Sequence, residues 1–342
     1  MRENLSREEA DATLSCVMEG EATPAQIAAF AVALRMKGET VDEAAGFVQA
    51  MRSRMAKVSP KRRPLLDTCG TGGGKLPVFN VSTTAAFAAI CAGIGIAKHG
   101  NRAMSGICGS ADVLEALGVK LTLDPTQIAQ CIDEIGIGFM FAPVHHSAMR
   151  HVAPVRKEIG IRTVFNLLGP LTNPADAELR VMGIYDPEMI LLASGALRKI
   201  GVSRAIVVYA EAGLVEISTF GSTLVCELRD GEIETYALTP AMLGVSGDQP
   251  DLASIAPSPD PLENARMVRE TLAGHDDTPV KRARRDLVAV NLAASLRVAG
   301  QTDSWREATS SAQEILSSGA GVGVLESLIE FTAKASLPQE RK

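Results

Sequence analysis

The sequence predicts an α/β protein, with a small N-terminal all-helical domain and a large α/β domain whose mainly parallel central sheet is flanked by helices. Three observations carry that expectation. The first 56 residues hold three stretches with apolar residues at helical spacing, each behind its own start signal. From Leu65 onward, short apolar runs alternate with helical stretches, the pattern of parallel strands joined by helices. Aromatic residues make up only 4% of the chain while alanine and glycine are abundant, which suits closely packed helices better than an aromatic-rich sandwich.

Taken in order, Ser6 and Glu9 form a capping box ahead of the first helix. Thr23, Pro24 and Gln26 open the second, whose apolar face runs Ile27, Phe30, Ala31 and Leu34 before Gly38 stops it. Thr40 and Glu43 open the third, with Val41, Ala44, Ala45, Val48 and Met51 on one face. Three such helices cannot bury their apolar faces alone and must pack on the rest of the chain or on another subunit. A basic linker, Lys57 to Pro64, follows. Strands are expected at Leu65–Cys69, Gly95–Lys98, the stretch IGFMFAP from Ile137, and RAIVVYA from Arg204. Helices are expected at Ser82–Gly93, at Ser110–Leu117, behind the Asp124-Pro125 cap, and behind Asp186-Pro187. The segment Leu243–Pro261, rich in Pro, Gly, Ser and Asp, reads as a loop.

Composition narrows the function. A formal charge of −6 opposes a nucleic-acid partner, and the two basic clusters, Lys61–Arg63 and Lys281–Arg285, read as solvated loop or helix ends. The six cysteines show no metal-binding spacing and suit reduced thiols, hence a cytoplasmic protein. The charged N-terminus does not read as a signal peptide. The longest apolar run, Ala85–Ala97, is shorter than the roughly 20 residues of a membrane span, so no membrane association is expected.

Three stretches carry chemistry. In DTCGTGGGKLPVFNVSTTAAF, Asp67 to Phe87, Gly70, Gly72, Gly73 and Gly74 form a bare loop between a strand and a helix start. Such a loop brings backbone N–H groups close to an anion. No Gly-Lys-Ser/Thr closes it, and no dinucleotide fingerprint fits it. Asn80, Ser82 and Thr83 add short polar side chains that can meet phosphate oxygens or a hydrated cation. In AKHGNRAMSGICGSADVLEALG, Lys98, Asn101 and Arg102 follow a strand, and a second glycine loop, Gly106–Gly109, leads to Ser110. Two such loops suit a ligand with several phosphates. In FAPVHHSAMRHVAPVRKEIGIRTVFNLLGPLTNPA, His145, His146, Arg150, His151, Arg156 and Arg162 cluster within eighteen residues. No cysteine or carboxylate completes a metal set there. Arg156 can hold a carboxylate in a bidentate pair, or be an ordinary helix-surface arginine.

Together these motifs resemble the anthranilate phosphoribosyltransferases, from about Leu5 to Phe331. The resemblance implies the fold of the pyrimidine nucleoside phosphorylases and a homodimer formed through a helical domain. That domain would span 1–63, joined by helices near 165–185, with a catalytic domain over 64–342. It implies transfer of a phosphoribosyl group from phosphoribosyl pyrophosphate to the amine of anthranilate, assisted by Mg2+. The phosphoribosyl pyrophosphate would be held by Gly70, Gly73, Gly74, Val78, Asn80, Ser82, Thr83, Lys98, Gly106 and Ser110. Anthranilate would be held by Gly70, Asn101, His146 and Arg156, and the metal by Ser82 and Glu216. No residue is implied as an acid or base, because an aromatic amine attacks uncharged.

This chain departs from the family pattern at several points. Gly74 stands for an aspartate and is followed by Lys75, and Val215 stands for the first carboxylate of an acidic pair, leaving Glu216. Val78 replaces a hydroxyl residue, Tyr209 and Ala210 replace His-Gly, and Ser147 replaces a proline. Losing the carboxylate at 215 weakens a site built from oxygen ligands. These departures leave open a diverged member acting on another aromatic amine, and Val215, Gly74 and the two basic clusters leave open a non-catalytic protein binding nucleic acid or a partner. A nucleoside phosphorylase of the same fold is a third reading, from which KHGNR and the Arg156 segment point away.

Overall fold

The computed structural model describes residues 3–103 and 107–336. All three predicted capping boxes form, opening α1 (Arg7–Glu19), α2 (Pro24–Lys37) and α3 (Val41–Arg54). In each, the Ser or Thr side chain accepts from the backbone three residues on while the Glu or Gln side chain accepts from the cap residue. Their apolar faces pack into one core with the helices Phe165–Leu171 and Ile190–Lys199 and with one face of a central sheet, through Met182, Ala205, Val207 and Cys226. Within the stretch 165–185, therefore, only Phe165–Leu171 is a helix meeting the N-terminal three. Residues Leu179–Gly183 are a sheet strand, and the second such helix lies further on, at Ile190–Lys199.

The sheet has seven strands: β1 (Leu65–Gly70), β2 (Gly95–Gly100), β3 (Ile137–Phe141), β4 (Leu179–Gly183), β5 (Arg204–Ala210), β6 (Thr223–Arg229) and β7 (Glu232–Leu238). Their order is β3-β2-β1-β4-β5-β6-β7. The first five are parallel, and β6 and β7 run antiparallel on one edge. This hairpin was not read from the sequence, although its turn, Asp230-Gly231, has both residues at positive φ, the backbone of a tight two-residue hairpin. The opposite face of the sheet is covered by α4 (Val81–Cys91) and the C-terminal helices around the buried helix Pro279–Val298.

Several boundaries differ from expectation for local reasons. β3 ends at Phe141, and Ala142 with Pro143 begins a short helix, Pro standing where the missing N–H costs nothing. Asp186 caps a 3₁₀ turn, Pro187–Met189, before the helix proper begins at Ile190. The expected loop 243–261 carries a helical turn at Leu252–Ile255, capped by Asp251. Both basic clusters are engaged within the chain. Arg62 donates to the Gly93 carbonyl, and Arg63 to the Ala175 carbonyl and Glu178. Lys281 and Arg285 pair with Asp277 and Asp276, and Arg284 donates to the Ser254 carbonyl.

At the centre of the sheet lies a fully buried ion pair. Asp67 on β1 and Arg180 on β4 are directly opposite in the strand register, and Arg180 Nη1 lies 2.6 Å from Asp67 Oδ2. The same carboxylate accepts from the His99 backbone N–H on β2 at 3.1 Å and from Asn173 Nδ2 at 2.8 Å. Its bonds thus join three adjacent strands, and without it Arg180 would be a buried charge with no counter-ion, whereas Asn173 Nδ2 would keep its bond to the Ala97 carbonyl at 2.8 Å. Removing the cation should be costly: Arg180→Met is expected to lower stability by about 3–5 kcal/mol in urea unfolding. A loss below about 1 kcal/mol would show that the pair carries little of the sheet's stability.

Candidate active site

The chain builds the sheet outward from β1 through β2 to β3, then returns to place β4 on the other side of β1. A parallel sheet opens a crevice where the order reverses, at the carboxyl ends of the strands. Here that point is the pair Gly70 and Gly183, the ends of β1 and β4. Gly183 admits no side chain: a Cβ there would stand 1.5 Å from the Val215 carbonyl oxygen. The segment after β5 can therefore lie directly over the strand ends.

Two loops wall the crevice. The first, after β1, is pinned at its ends: the Thr71 N–H donates to the Gly183 carbonyl at 2.9 Å, and the Leu76 N–H to the Gly213 carbonyl at 3.0 Å. Gly72 and Gly73 have positive φ, and Arg162 Nη2 donates to the Gly73 carbonyl at 2.6 Å. The second loop, after β2, is shaped by Asp112, whose carboxylate accepts from the N–H groups of Ala103 and Gly109. Arg102 is held by Asp112 and Glu115. Asn80 does not cap α4, as its position before the helix would suggest; its Nδ2 donates to the Cys108 carbonyl at 3.2 Å and so clasps the two loops together.

Between them lies an open cleft of about 570 Å³. Gly70, Gly73, Gly74, Val78, Asn80, Ser82, Thr83, Lys98, Asn101, Ser110, Val215 and Glu216 all line it, while Gly106 lies outside the described residues. Lys98 is the buried cation at its floor, 3% exposed, with Nζ 2.5 Å from the Thr68 carbonyl oxygen and 3.5 Å from Ser82 Oγ. Burial lowers its pKa, opposed by the nearby Asp67, Cys69 and Glu216. Glu216 is the sole carboxylate on the cleft wall among the described residues. Burial pushes its carboxyl up to about 7, against the Val215 backbone N–H and Lys98, and its Oε2 is buried with no hydrogen-bond partner among the described residues. The N–H groups of Gly72, Gly73 and Gly74 have no partner among the described residues. Lys75 is exposed at the rim. Gly74 and Val215 face each other: a Cβ at 74 would lie 3.3 Å from Val215 Cγ1 and 2.7 Å from the Gly213 carbonyl oxygen.

An orphaned carboxylate oxygen and the Ser82 hydroxyl suit a hard divalent cation with oxygen ligands. With one carboxylate, the remaining ligands have to come from a bound phosphate and water, the manner in which Mg2+ is usually held beside a nucleotide or pyrophosphate.

His146 and Arg156 stand apart from this cleft. His146 lies behind His99, which lines it, with ring centroids 5.0 Å apart and nearly edge-on. Burial above all, then neighbouring His145 and Arg180 for His99, and His99 and His145 for His146, pushes both imidazoles down to about 3. Both are therefore neutral at physiological pH. Both His146 ring nitrogens and His99 Nε2 are buried without hydrogen-bond partners among the described residues. Arg156, on the helix Ala153–Ile159, is half-buried with its pKa lowered by burial, and it has no carboxylate within ion-pair reach among the described residues. Residues that the sequence reading left without a role are Arg162 and Tyr185, whose contact across the glycine loop has no signature in local spacing.

A crevice at the sheet's switch point, lined by glycine N–H groups and a buried lysine, is the anion-binding site of an α/β transferase, and the family matches place it among the glycosyl transferases. Its two family models match accordingly, the "Glycosyl transferase family, helical bundle domain" over residues 1–55 and the "Glycosyl transferase family, a/b domain" over residues 62–322. An anthranilate phosphoribosyltransferase of Symbiobacterium thermophilum is 46% identical over 329 residues, covering 96% of this chain and 94% of that one. The crystal structure of anthranilate phosphoribosyltransferase from Thermus thermophilus superposes with a TM-score of 0.89 at 41% identity, covering 97% of each chain. The Saccharomyces cerevisiae enzyme, in complex with PRPP and Mg, does so with a TM-score of 0.86 at 28% identity, covering 96% of this chain and 94% of that one. The chain belongs to the anthranilate phosphoribosyltransferase family.

The histidine pair makes stability depend on pH. Both histidines take up a proton near 6.5 when unfolded and only near 3 when folded, so the unfolded chain binds more protons between those values. The contribution is complete above about pH 6.5 and is lost as pH falls, by up to about 1.4 kcal/mol per histidine for each pH unit. Urea midpoints measured from pH 7 to 5 should fall, and His146→Gln should flatten the profile. Superimposable profiles for the two proteins would rule the pair out as the cause.

Proposed function

We propose that the protein transfers the phosphoribosyl group of phosphoribosyl pyrophosphate to the amine of anthranilate, releasing pyrophosphate. One observation carries this reading. A cleft lined by glycine N–H groups without partners among the described residues, a buried lysine and one orphaned carboxylate is also lined by His99, whose ring meets that of a second neutral histidine, His146, while Arg156, outside the cleft lining, has no carboxylate within ion-pair reach among the described residues. The first set suits a pyrophosphate with its cation, the second an uncharged amine on an aromatic acid. The binding-protein alternative loses its support from the basic clusters, which are paired within the chain.

In the reaction, the bond from ribose C1′ to the pyrophosphate oxygen breaks and its electron pair leaves with the pyrophosphate. The amine nitrogen then bonds to C1′ and gives up a proton. The loop N–H groups and Lys98 stabilise the charge that grows on the leaving group, already oriented before it appears. Glu216 and Ser82 would hold Mg2+, which neutralises pyrophosphate charge when bound. Arg156 would hold the anthranilate carboxylate through a charge-assisted pair, and Asn101 and His146 would orient the ring and amine. Neutral imidazoles suit that task, since an imidazolium would repel the cationic character growing on the ribose. The rest of the chain's expected setting, a homodimer formed through the helical layer, draws support from the exposed Met36 and Leu191 on that layer. A cytoplasmic location draws support from the free state of all six cysteines.

A magnesium titration of the transfer, read by loss of anthranilate fluorescence, tests the reading. Turnover that rises with magnesium is expected, and none at any concentration would remove the proposal. Glu216→Gln should shift the titration to higher magnesium, and an unchanged midpoint would take Glu216 out of the metal site. Arg156→Ala should raise the KM for anthranilate by roughly tenfold or more, the worth of a lost charged hydrogen bond, with little change in that for phosphoribosyl pyrophosphate. Equal rises in both would place the carboxylate elsewhere.

A further inference from the structure

Arg162 takes no direct part in the transfer proposed above, yet it touches the loop on which that transfer depends. It lies between the helices Ala153–Ile159 and Phe165–Leu171, six residues beyond Arg156. Its Nη2 donates to the Gly73 carbonyl at 2.6 Å, and its guanidinium carbon stands 3.9 Å from the centroid of the Tyr185 ring. Tyr185 is itself fastened to the same loop, its backbone N–H donating to Thr71 Oγ1 at 3.0 Å. The glycine turn is thus held from two sides, at Thr71 by the end of β4 and at Gly73 by an arginine stacked on that strand's continuation. Gly73 is shaped for this contact, since a Cβ there would lie 1.9 Å from Arg162 Nη2, and φ is +71°.

The consequence follows from peptide geometry. In a trans peptide the carbonyl of Gly73 and the N–H of Gly74 point in opposite directions. A carbonyl drawn toward Arg162, which does not line the cleft, therefore turns the N–H of Gly74, a cleft-lining residue, away from Arg162. We infer that Arg162 is a positioning residue for the leaving pyrophosphate. It fixes the Gly73–Gly74 peptide so that the Gly74 N–H faces the phosphate, and it ties that turn to the segment carrying Arg156. Lysine cannot replace it fully, because the role uses a planar group that stacks on a ring and donates at its edge. This role rests on the transfer reaction proposed above.

The test uses the full-length protein and inorganic pyrophosphate with magnesium as probe. Calorimetric binding is measured alongside the KM for each substrate and the thermal midpoint. Arg162→Ala should weaken pyrophosphate binding and raise the KM for phosphoribosyl pyrophosphate by about tenfold, the loss of one charge-assisted bond, while the anthranilate KM changes less. Arg162→Lys should fall between that variant and the parent at an unchanged thermal midpoint, which keeps the test open if the alanine variant folds poorly. Tyr185→Leu should reproduce part of the effect and Tyr185→Phe none of it. Unchanged pyrophosphate binding in Arg162→Lys and Arg162→Ala, or an equal rise in both KM values, would overturn the role of Arg162 alone. A parent protein that neither binds pyrophosphate nor turns over would overturn the reaction, and this role with it.

Discussion

The buried carboxylate of Asp67 is the constraint on which the rest of the structure depends. It sits on the middle strand of the parallel sheet and is neutralised by Arg180 across the β1–β4 pair, with further bonds from β2 and from Asn173. Two charges taken out of water in this way do not gain much net stability, but either one left alone would be strongly destabilising. The arrangement therefore acts against alternatives: a slip of β4 by one residue along β1 would send Arg180 to the other face and strand both charges. The register of β1 against β4 places Gly70 opposite Gly183, and with it the crevice between the strand ends.

Above that crevice the chemistry is assembled from loops, and each loop is held by a contact distant in sequence. The Asn80 side chain bridges to Cys108, Gly183 makes room for the 215 carbonyl, and Arg162 reaches back to Gly73. The helices supply less of the site than their position before it suggests. The start of α4 contributes Ser82 and Thr83 to the cleft wall, but the side chain just before it, Asn80, is spent on joining the loops.

What the sequence made legible follows from how far each signal reaches. The capping boxes at Ser6, Thr23 and Thr40 act over three residues, and all three formed as read. The glycine loop and the Asn80–Thr83 step were visible because an anion site needs small residues close together, and they do line one cleft. The Asp230-Gly231 hairpin was equally local, and the turn signal went unread beside the alternating strands and helices of the larger domain. The split between the phosphate cleft and the His146–Arg156 side could not be read. For His146 it depends on a ring contact with His99, a cleft-lining residue of another element. The grip of Arg162 on Gly73 spans 89 residues and obeys no spacing rule.

That Glu216 is the single carboxylate on the cleft wall among the described residues has a further consequence for how ligands would share the site. Glu216 with one hydroxyl cannot complete the coordination of a small divalent cation, so most ligands must arrive on another molecule. Cation and phosphate then bind as thermodynamic partners: whatever factor the phosphate adds to the cation's affinity, the cation returns to the phosphate. A protein built this way would answer to the product of two concentrations rather than to either alone, and its occupancy would fall steeply when both ran low.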